Sequence, residues 1–298
     1  MKFMHTLPAL VFVLASSATL QAQTALKDGT SLQWDKQINV GADSLRNDSV
    51  TVPAFSVPVY EAGASQVADL LKKAIPGASF KKQGDLLKAA GASFASTGSP
   101  MDVLAKVVQD KKAGVSNLSL AFLQPGTSNP VQSTAMQAAV RELGVGLNKS
   151  VVQAQVDEWK KKLGKADSKT ASATKDQDKT QAKLNKAQAQ LEKITKEKSK
   201  LQSQQAIQQK QIDLENQKWT LSQDPKDLKR LTKSRAKITK IESQMAKAMT
   251  AESKAQADIA KYGSSLPDAQ KAKEQKAAAQ AEVQRTVDAL QRKLESIR

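Results

Sequence analysis

The 298-residue chain reads as an α+β protein: a small antiparallel sheet with helices, followed by a long all-α antiparallel coiled coil or three-helix rod. From Leu184 to Arg298, apolar residues recur at steps of three and four, which lays them along one stripe of a helix. Between Val50 and Gln124, short runs alternate apolar and polar residues and are separated by Gly, Pro, Asn and Asp, the pattern of half-buried strands. A third observation limits the chemistry: there is no cysteine, and His5 is the one histidine.

Residues 1–22 combine Lys2, an apolar run from Leu7 to Ala15 and a small residue, Ala22, before Gln23. That is the pattern of a cleaved Sec-type signal peptide. The alternative, a retained membrane anchor, is disfavoured because Pro8 lies inside a run shorter than the roughly 18 residues a span needs. No other stretch approaches that length, and there is no lipobox cysteine, so the expected location is the periplasm or the medium. Residues 23–49 are irregular, with turns at Asp28-Gly29, Gly41-Ala42 and Asn47-Asp48, and with Trp34 and Ile38 available to dock on the neighbouring α+β domain.

The small α+β domain spans 50–163. Val50–Tyr60 alternates as a strand, but Pro53 and Pro58 cannot donate to a ladder, which predicts an edge strand or a strand end. Ser65–Ile75 is an amphipathic helix with Val67, Leu70, Leu71 and Ile75 on one face, ended by Pro76-Gly77. Ala78–Gln83 and Leu86–Ala95 are strands divided at Gly84-Asp85, although Asp85–Ala90 also suits a helical turn. Met101–Lys111 and Asn117–Gln124 form a hairpin through Lys112-Ala113-Gly114. Ser133 or Thr134 caps a helix using Met136, Val140, Leu143 and Leu147, weakened by Gly144 and Gly146 and restarted by a capping box at Ser150-x-x-Gln153.

The resulting order of strand, helix, four strands and helix resembles the TBP-like β-α-β4-α architecture. With the helical region behind it, it is similar to envelope proteins of Gram-negative bacteria that join such a domain to a C-terminal coiled coil. Val50–Tyr60, Ser65–Ile75, the Met101–Gln124 hairpin and the helix from Ser133 carry the resemblance. It rests on element order, covers under half the chain, and brings no site residue and no DNA binding with it.

Residues 164–183 hold Lys, Asp, Ser, Thr and Ala with no large apolar residue and one glycine, which favours a helical stalk over a flexible linker. The region 184–298 then divides into helices at about 184–221, 225–262 and 267–298. Asp224-Pro225-Lys226-Asp227 is a cap, an N1 proline and an acidic first turn. Tyr262-Gly263-Ser264-Ser265-Leu266-Pro267-Asp268 reads as a second turn. The first helix uses Leu184, Ala187, Leu191, Ile194 and Leu201, extended by Ile207, Ile212 and Leu214. The second uses Leu228, Leu231, Ile238, Ile241, Met245, Ala248, Ala255 and Ile259, and the third Val283, Val287, Leu290, Leu294 and Ile297. Lys198, Gln205, Gln208 and Glu252 fall where apolar residues are wanted, so the stripe is thin. Three antiparallel helices are expected, or else a two-helix hairpin with the third loosely attached.

A mature chain without His or Cys cannot build a Ser-His-Asp triad, a Cys-His dyad or a typical zinc site, so no catalytic, cofactor-binding or metal residue is assigned. Ser79-x-x-Lys82 and Ser172-x-x-Lys175 lack the companion motifs of penicillin-recognising enzymes. Asp176-Gln177-Asp178 lacks the glycine and glutamate of a calcium loop. The Asn47, Asn117 and Asn148 sequons matter only in a eukaryotic secretory pathway, and Trp159 and Trp219 suit packing.

The net charge of +17 is concentrated after residue 164. It points to anionic partners such as lipid head groups, lipopolysaccharide or acidic polymers, or to an envelope protein, with self-association through the coiled coil as another outcome. Export and the scarcity of aromatics argue against nucleic acid. The bland alternative is a solubilising lysine coat. The expectation is a non-enzymatic structural or interaction protein of the bacterial envelope. The alternative is a periplasmic holdase chaperone, which the basic, exported, long-helix character resembles in the seventeen-kilodalton (Skp) class. Those chaperones return a strand to the body after their helices, and no strand is expected after the last helix here. Mass spectrometry of the exported protein is expected to find Gln23 at its N-terminus, and retention of Met1 would overturn the signal assignment.

Overall fold

The computed structural model describes residues 31–75, 77–93 and 99–298. The signal segment 1–22, the Asp28-Gly29 turn, Pro76 and the end of the strand expected to reach Ala95 lie outside them. The elements are β1 (Gly41–Asn47), β2 (Val50–Tyr60), α1 (Ala64–Ala74), β3 (Lys81–Gln83), β4 (Leu86–Ser93), β5 (Pro100–Asp110), β6 (Val115–Leu123), α2 (Thr134–Ser222) and α3 (Pro225–Ser296). The fold is α+β, with a six-stranded antiparallel sheet ordered β1-β2-β6-β5-β4-β3 and two long helices. From β2 onward the order matches the expected strand, helix, four strands and helix. Two compact units result: residues 1–158 with 286–298, and residues 159–285. The division between the units falls after Glu158, and the end of the last helix, residues 286–298, belongs with the first unit.

In the first unit, β1 is a strand inside the segment expected to be irregular. It buries only Leu45 among polar neighbours, so it has no apolar alternation to read. The flagged Asn47-Asp48 turn joins it to β2, with Asp48 at φ 56°. β2 is not at an edge. β1 pairs it over residues 50–56 and β6 over 55–60, so each proline sits where only one side of the strand is paired. β4 is strand rather than helical turn, with an irregularity between Ala89 and Ala92 where Gly91 takes φ 62°. In the β5–β6 hairpin, Asp110 Oδ1 accepts from the N–H groups of Lys112 and Ala113, and Gly114 turns at φ 63°.

One face of the sheet carries the main core. Val57, Val59, Val103, Ala105, Leu118, Leu120 and Phe122 pack with Val67 and Leu71 of α1, Met136, Val140, Leu147 and Val151 of α2, and Ile297. Ile38 is buried here, and Trp34 meets Tyr60 edge-on with ring centroids 5.6 Å apart, as their docking role requires. The alternate residues Val52, Ala54, Leu104, Ala121 and Leu123 form a smaller buried cluster on the opposite face, with Leu45 and Leu86.

Asn148 of α2 closes the end of β2 that β1 leaves open. Its Oδ1 accepts from Tyr60 N–H at 2.9 Å, and its Nδ2 donates to the Pro58 carbonyl at 3.0 Å and the Gly144 carbonyl at 2.8 Å. The side chain thereby stands in for a neighbouring strand. At the next corner Glu61, at φ 57°, accepts at Oε2 from Lys293 Nζ at 2.6 Å and from Gln155 Nε2 at 3.0 Å. Lys293 Nζ also donates to the Ser31 carbonyl at 2.6 Å, and its side chain is fully buried.

Ser133 caps α2, accepting from Met136 N–H at 3.2 Å. The glycines do not break the helix, and Ser150 does not restart it. Its hydroxyl donates to the Gly146 carbonyl within a continuous helix. Gly144 lies close against the sheet: a Cβ there would lie 2.3 Å from Val57 Cγ2 and 3.2 Å from Ile38 Cγ2. Gly146 has open space. Gly144→Ala is therefore expected to destabilise the unit by about 1–3 kcal/mol through overpacking, whereas Gly146→Ala is expected to stabilise it by up to about 1 kcal/mol. Urea unfolding of the two variants checks the contrast, and equal effects would misplace the helix–sheet contact.

Candidate interaction surface

In the second unit, α2 and α3 run antiparallel as a two-helix hairpin rather than three helices. Both 164–183 and 262–268 are helical throughout. With Thr174 beside them, the less exposed positions of α2 fall at 159, 163, 166, 170, 173, 177, 180, 184, 187, 191, 194, 198, 201, 205, 208, 212, 215 and 219, an unbroken 4-3 series. On α3 the corresponding series runs through Asp227, Leu231, Ser234, Ile238, Ile241, Met245, Ala248, Glu252, Ala255, Ile259, Tyr262, Leu266, Ala269 and Lys273. It passes through the expected turn without losing phase, which is why the helix continues there. Pro267 lacks the N–H that would reach the Gly263 carbonyl, and glycine at that position meets the proline ring with the least hindrance. Ser264 and Ser265 hydroxyls donate to the Lys261 carbonyl just before it.

Polar residues in the seam pair across it. Lys198 bonds to Glu252, and Gln177 bonds to Gln270 while accepting from Lys273 Nζ at 2.9 Å. Asp167 accepts from Gln280 at 2.8 Å, and Lys183 lies over the Tyr262 ring. Small residues at 166, 170 and 173 fit the stalk to its partner helix, so the lack of large apolar residues does not prevent packing. Trp159 and Trp219 occupy seam positions, as their packing role requires. The Gln211 amide, and then the Ser234 hydroxyl, hold the Glu215 carboxyl below the ordinary glutamate range. Its stabilising effect is complete above that range and is lost as pH falls through the lowered value. Asp224 caps α3 as expected, accepting from Lys226 N–H at 2.7 Å.

Ile207 and Leu214 are not in the seam, although their spacing suggested it. The 4-3 phase from Leu201 selects 205, 208, 212 and 215, leaving Ile207 and Leu214 one residue out of step and exposed. Leu221 continues that outer row, and Leu228 yields its expected seam place to Asp227. Across the groove between the helices, Ile207 lines one depression with Lys237 and Lys240, and Leu214 lines another with Lys218, Arg230, Glu215 and Asp227. Arg230 pairs with Asp227 at 3.5 Å, while among the described residues no ion pair engages Lys233, Lys237 or Lys240.

The first unit offers a different surface. A groove of about 650 Å³ between α1 and the β3–β4–β5 edge is lined by Phe80, Leu87 and Val107 with Lys72, Lys82, Lys106, Asp69 and Asp85. Lys72 pairs with Asp69 at 3.1 Å and Lys106 with Asp85 at 3.8 Å, so its charges are largely matched internally. Ser79 lies before β3 and Lys82 within it, and both are exposed. Ser172, Lys175, Asp176 and Asp178 are exposed on α2, a helix rather than a calcium loop. The described residues contain no cluster of three or more metal-ligating side chains and no helix long and apolar enough to cross a membrane.

No protein-family model matches the chain, and comparison with curated proteins finds no match. The seam assignment makes its own test. Leu231→Ala, in the seam, is expected to cost about 2–4 kcal/mol, while Leu214→Ala in the outer row is expected to stay within about 0.5 kcal/mol of the parent. Thermal melting followed by helical circular dichroism distinguishes them, and the reverse order would move the seam.

Proposed function

We propose that this chain is a non-enzymatic interaction protein of the bacterial cell envelope whose basic helical hairpin binds a partner or an anionic surface. The charge of that hairpin carries the reading. Residues 159–285 hold 29 Lys and Arg against 15 Asp and Glu, a net +14, while the rest of the chain holds 17 against 14. Long helices in a thin seam expose most of their surface, and that surface is dominated by lysine. Such a field raises the local concentration of anionic groups and guides their approach. The charged start, apolar run and small residue of 1–22 support export. Exposed Ile207, Leu214, Leu221 and Met249 on the same hairpin favour a second reading, the holdase, because unfolded clients need apolar contact.

Binding of the purified chain to phosphatidylglycerol-containing vesicles and to polyglutamate is expected, with little binding to phosphatidylcholine alone. It is expected to weaken steeply between low and physiological salt, where surface charges are screened over about 8 Å. Salt-indifferent or absent binding would reduce the lysines to a solubilising coat. Suppression of the aggregation of an unfolded outer-membrane protein at near-equal ratios would favour the holdase.

A further inference from the structure

The outer row of α2 changes character along its length. Positions 186, 193 and 200 are exposed lysines, and the next three members at the same spacing of seven are Ile207, Leu214 and Leu221. These are 69%, 57% and 87% exposed. A row that served only solubility would have no reason to exchange lysine for large aliphatic residues over its last three members. Seven residues make about two helical turns, so the three side chains form a ridge about 21 Å long.

The facing flank of α3 has a matching change. Between Leu228 and Ile241 there are six Lys and Arg and no Asp or Glu. Arg230 and Lys237 recur at seven, as do Lys233 and Lys240, and the depressions at Leu214 and Ile207 bring members of both rows against those two side chains. At the Leu214 end Glu215 and Asp227 share the depression and Arg230 is paired with Asp227, so the apolar row runs beside cations that, among the described residues, are without an ion pair at Lys233, Lys237 and Lys240.

We propose that this groove, at the turn end of the hairpin, docks one acidic amphipathic helix of a partner protein and forms a local three-helix bundle with it. The inference rests on the interaction reading and names the partner's chemistry. A third helix carrying apolar residues every three or four positions would set them against Ile207, Leu214 and Leu221, and Glu or Asp on its flank would meet Lys233, Lys237 and Lys240. A bilayer fits less well. The apolar residues stand in single file about 10 Å apart, with Gln204, Gln211 and Lys218 beside them, and offer no continuous apolar face. A second copy fits less well because each hairpin would bring its own net +14 to the contact.

The test uses the full mature chain and three probes: a 21-residue helical peptide with Leu at the core heptad positions and Glu on its flanks, the same peptide with Gln for Leu, and phosphatidylglycerol vesicles. The Leu/Glu peptide is expected to bind at least ten times more tightly than its Gln counterpart. Ile207→Gln/Leu214→Gln is expected to remove that preference without changing net charge or helical melting, and Lys237→Glu/Lys240→Glu to weaken binding further as salt is lowered. Equal binding of both peptides, or no effect of the Gln substitutions, would overturn the docking site. Salt-sensitive vesicle binding that persisted in that case would leave the broader anionic reading standing. Binding to vesicles but neither peptide would replace the partner helix with a membrane surface. Self-association abolished by Ile207→Gln/Leu214→Gln would replace it with a second copy.

Discussion

Two helices that remain in contact for some sixty residues in each direction must keep one side of each turned toward the other. A straight α-helix drifts by about 20° per heptad from a 3.5-residue repeat, so an interrupted pattern would carry the seam off the interface within a few turns. The hairpin keeps its phase from Trp159 to Trp219 and from Asp227 through Lys273. Because the register is so regular, its composition can be poor. Lys198 finds Glu252, Gln177 finds Gln270 and Lys273, and alanines and threonines pack where larger residues are missing. Thr170 Oγ1 and Gln208 Nε2 remain buried without a hydrogen-bond partner, which marks where the seam is least satisfied.

The two units handle charge differently. In the sheet unit, lysines sit close to carboxylates: Lys72 by Asp69, Lys88 by Asp48, Lys106 by Asp85, and Lys293 by Glu61. In the hairpin, 29 Lys and Arg face 15 Asp and Glu, so about half of its cations have no carboxylate to answer them. Exposed pairs such as Lys196 with Glu192 contribute little to stability. The charge excess of the helices therefore has its main physical effect outside the molecule, on whatever approaches it.

Much of the architecture was legible because it stems from periodicity. Strands β2, β5 and β6, helix α1 and the paired long helices each show an apolar repeat of the right length. Local punctuation misled where tertiary register overrode it. Gly263 and Pro267 look like a turn, but the phase across Ile259, Tyr262 and Leu266 was already visible and carries the helix through. Pro53 and Pro58 suggested an edge because single-strand reading cannot show that neighbours cover different halves of β2. β1 was hidden by its polar composition, and the Gly144 contact by distance along the chain. Ile207 and Leu214 of the surface row were merged with the seam because both are apolar and only their phase separates them.

The end of α3 has a consequence for how the protein is made. Lys293 neutralises Glu61, and Ile297 completes the core formed by residues near the other end of the chain. The sheet unit is thus interrupted by the 127 residues between Glu158 and Thr286. On a ribosome, the strands and α1 appear first but lack the core side chain of Ile297 and the buried Lys293 cation that pairs with Glu61. The hairpin, rich in local contacts, can assemble on its own timescale, whereas the sheet unit must wait for a loop closure spanning most of the molecule. Residues 286–298 therefore complete the sheet unit, and a chain shortened there would keep strands β1 to β6 yet lack Ile297 and Lys293.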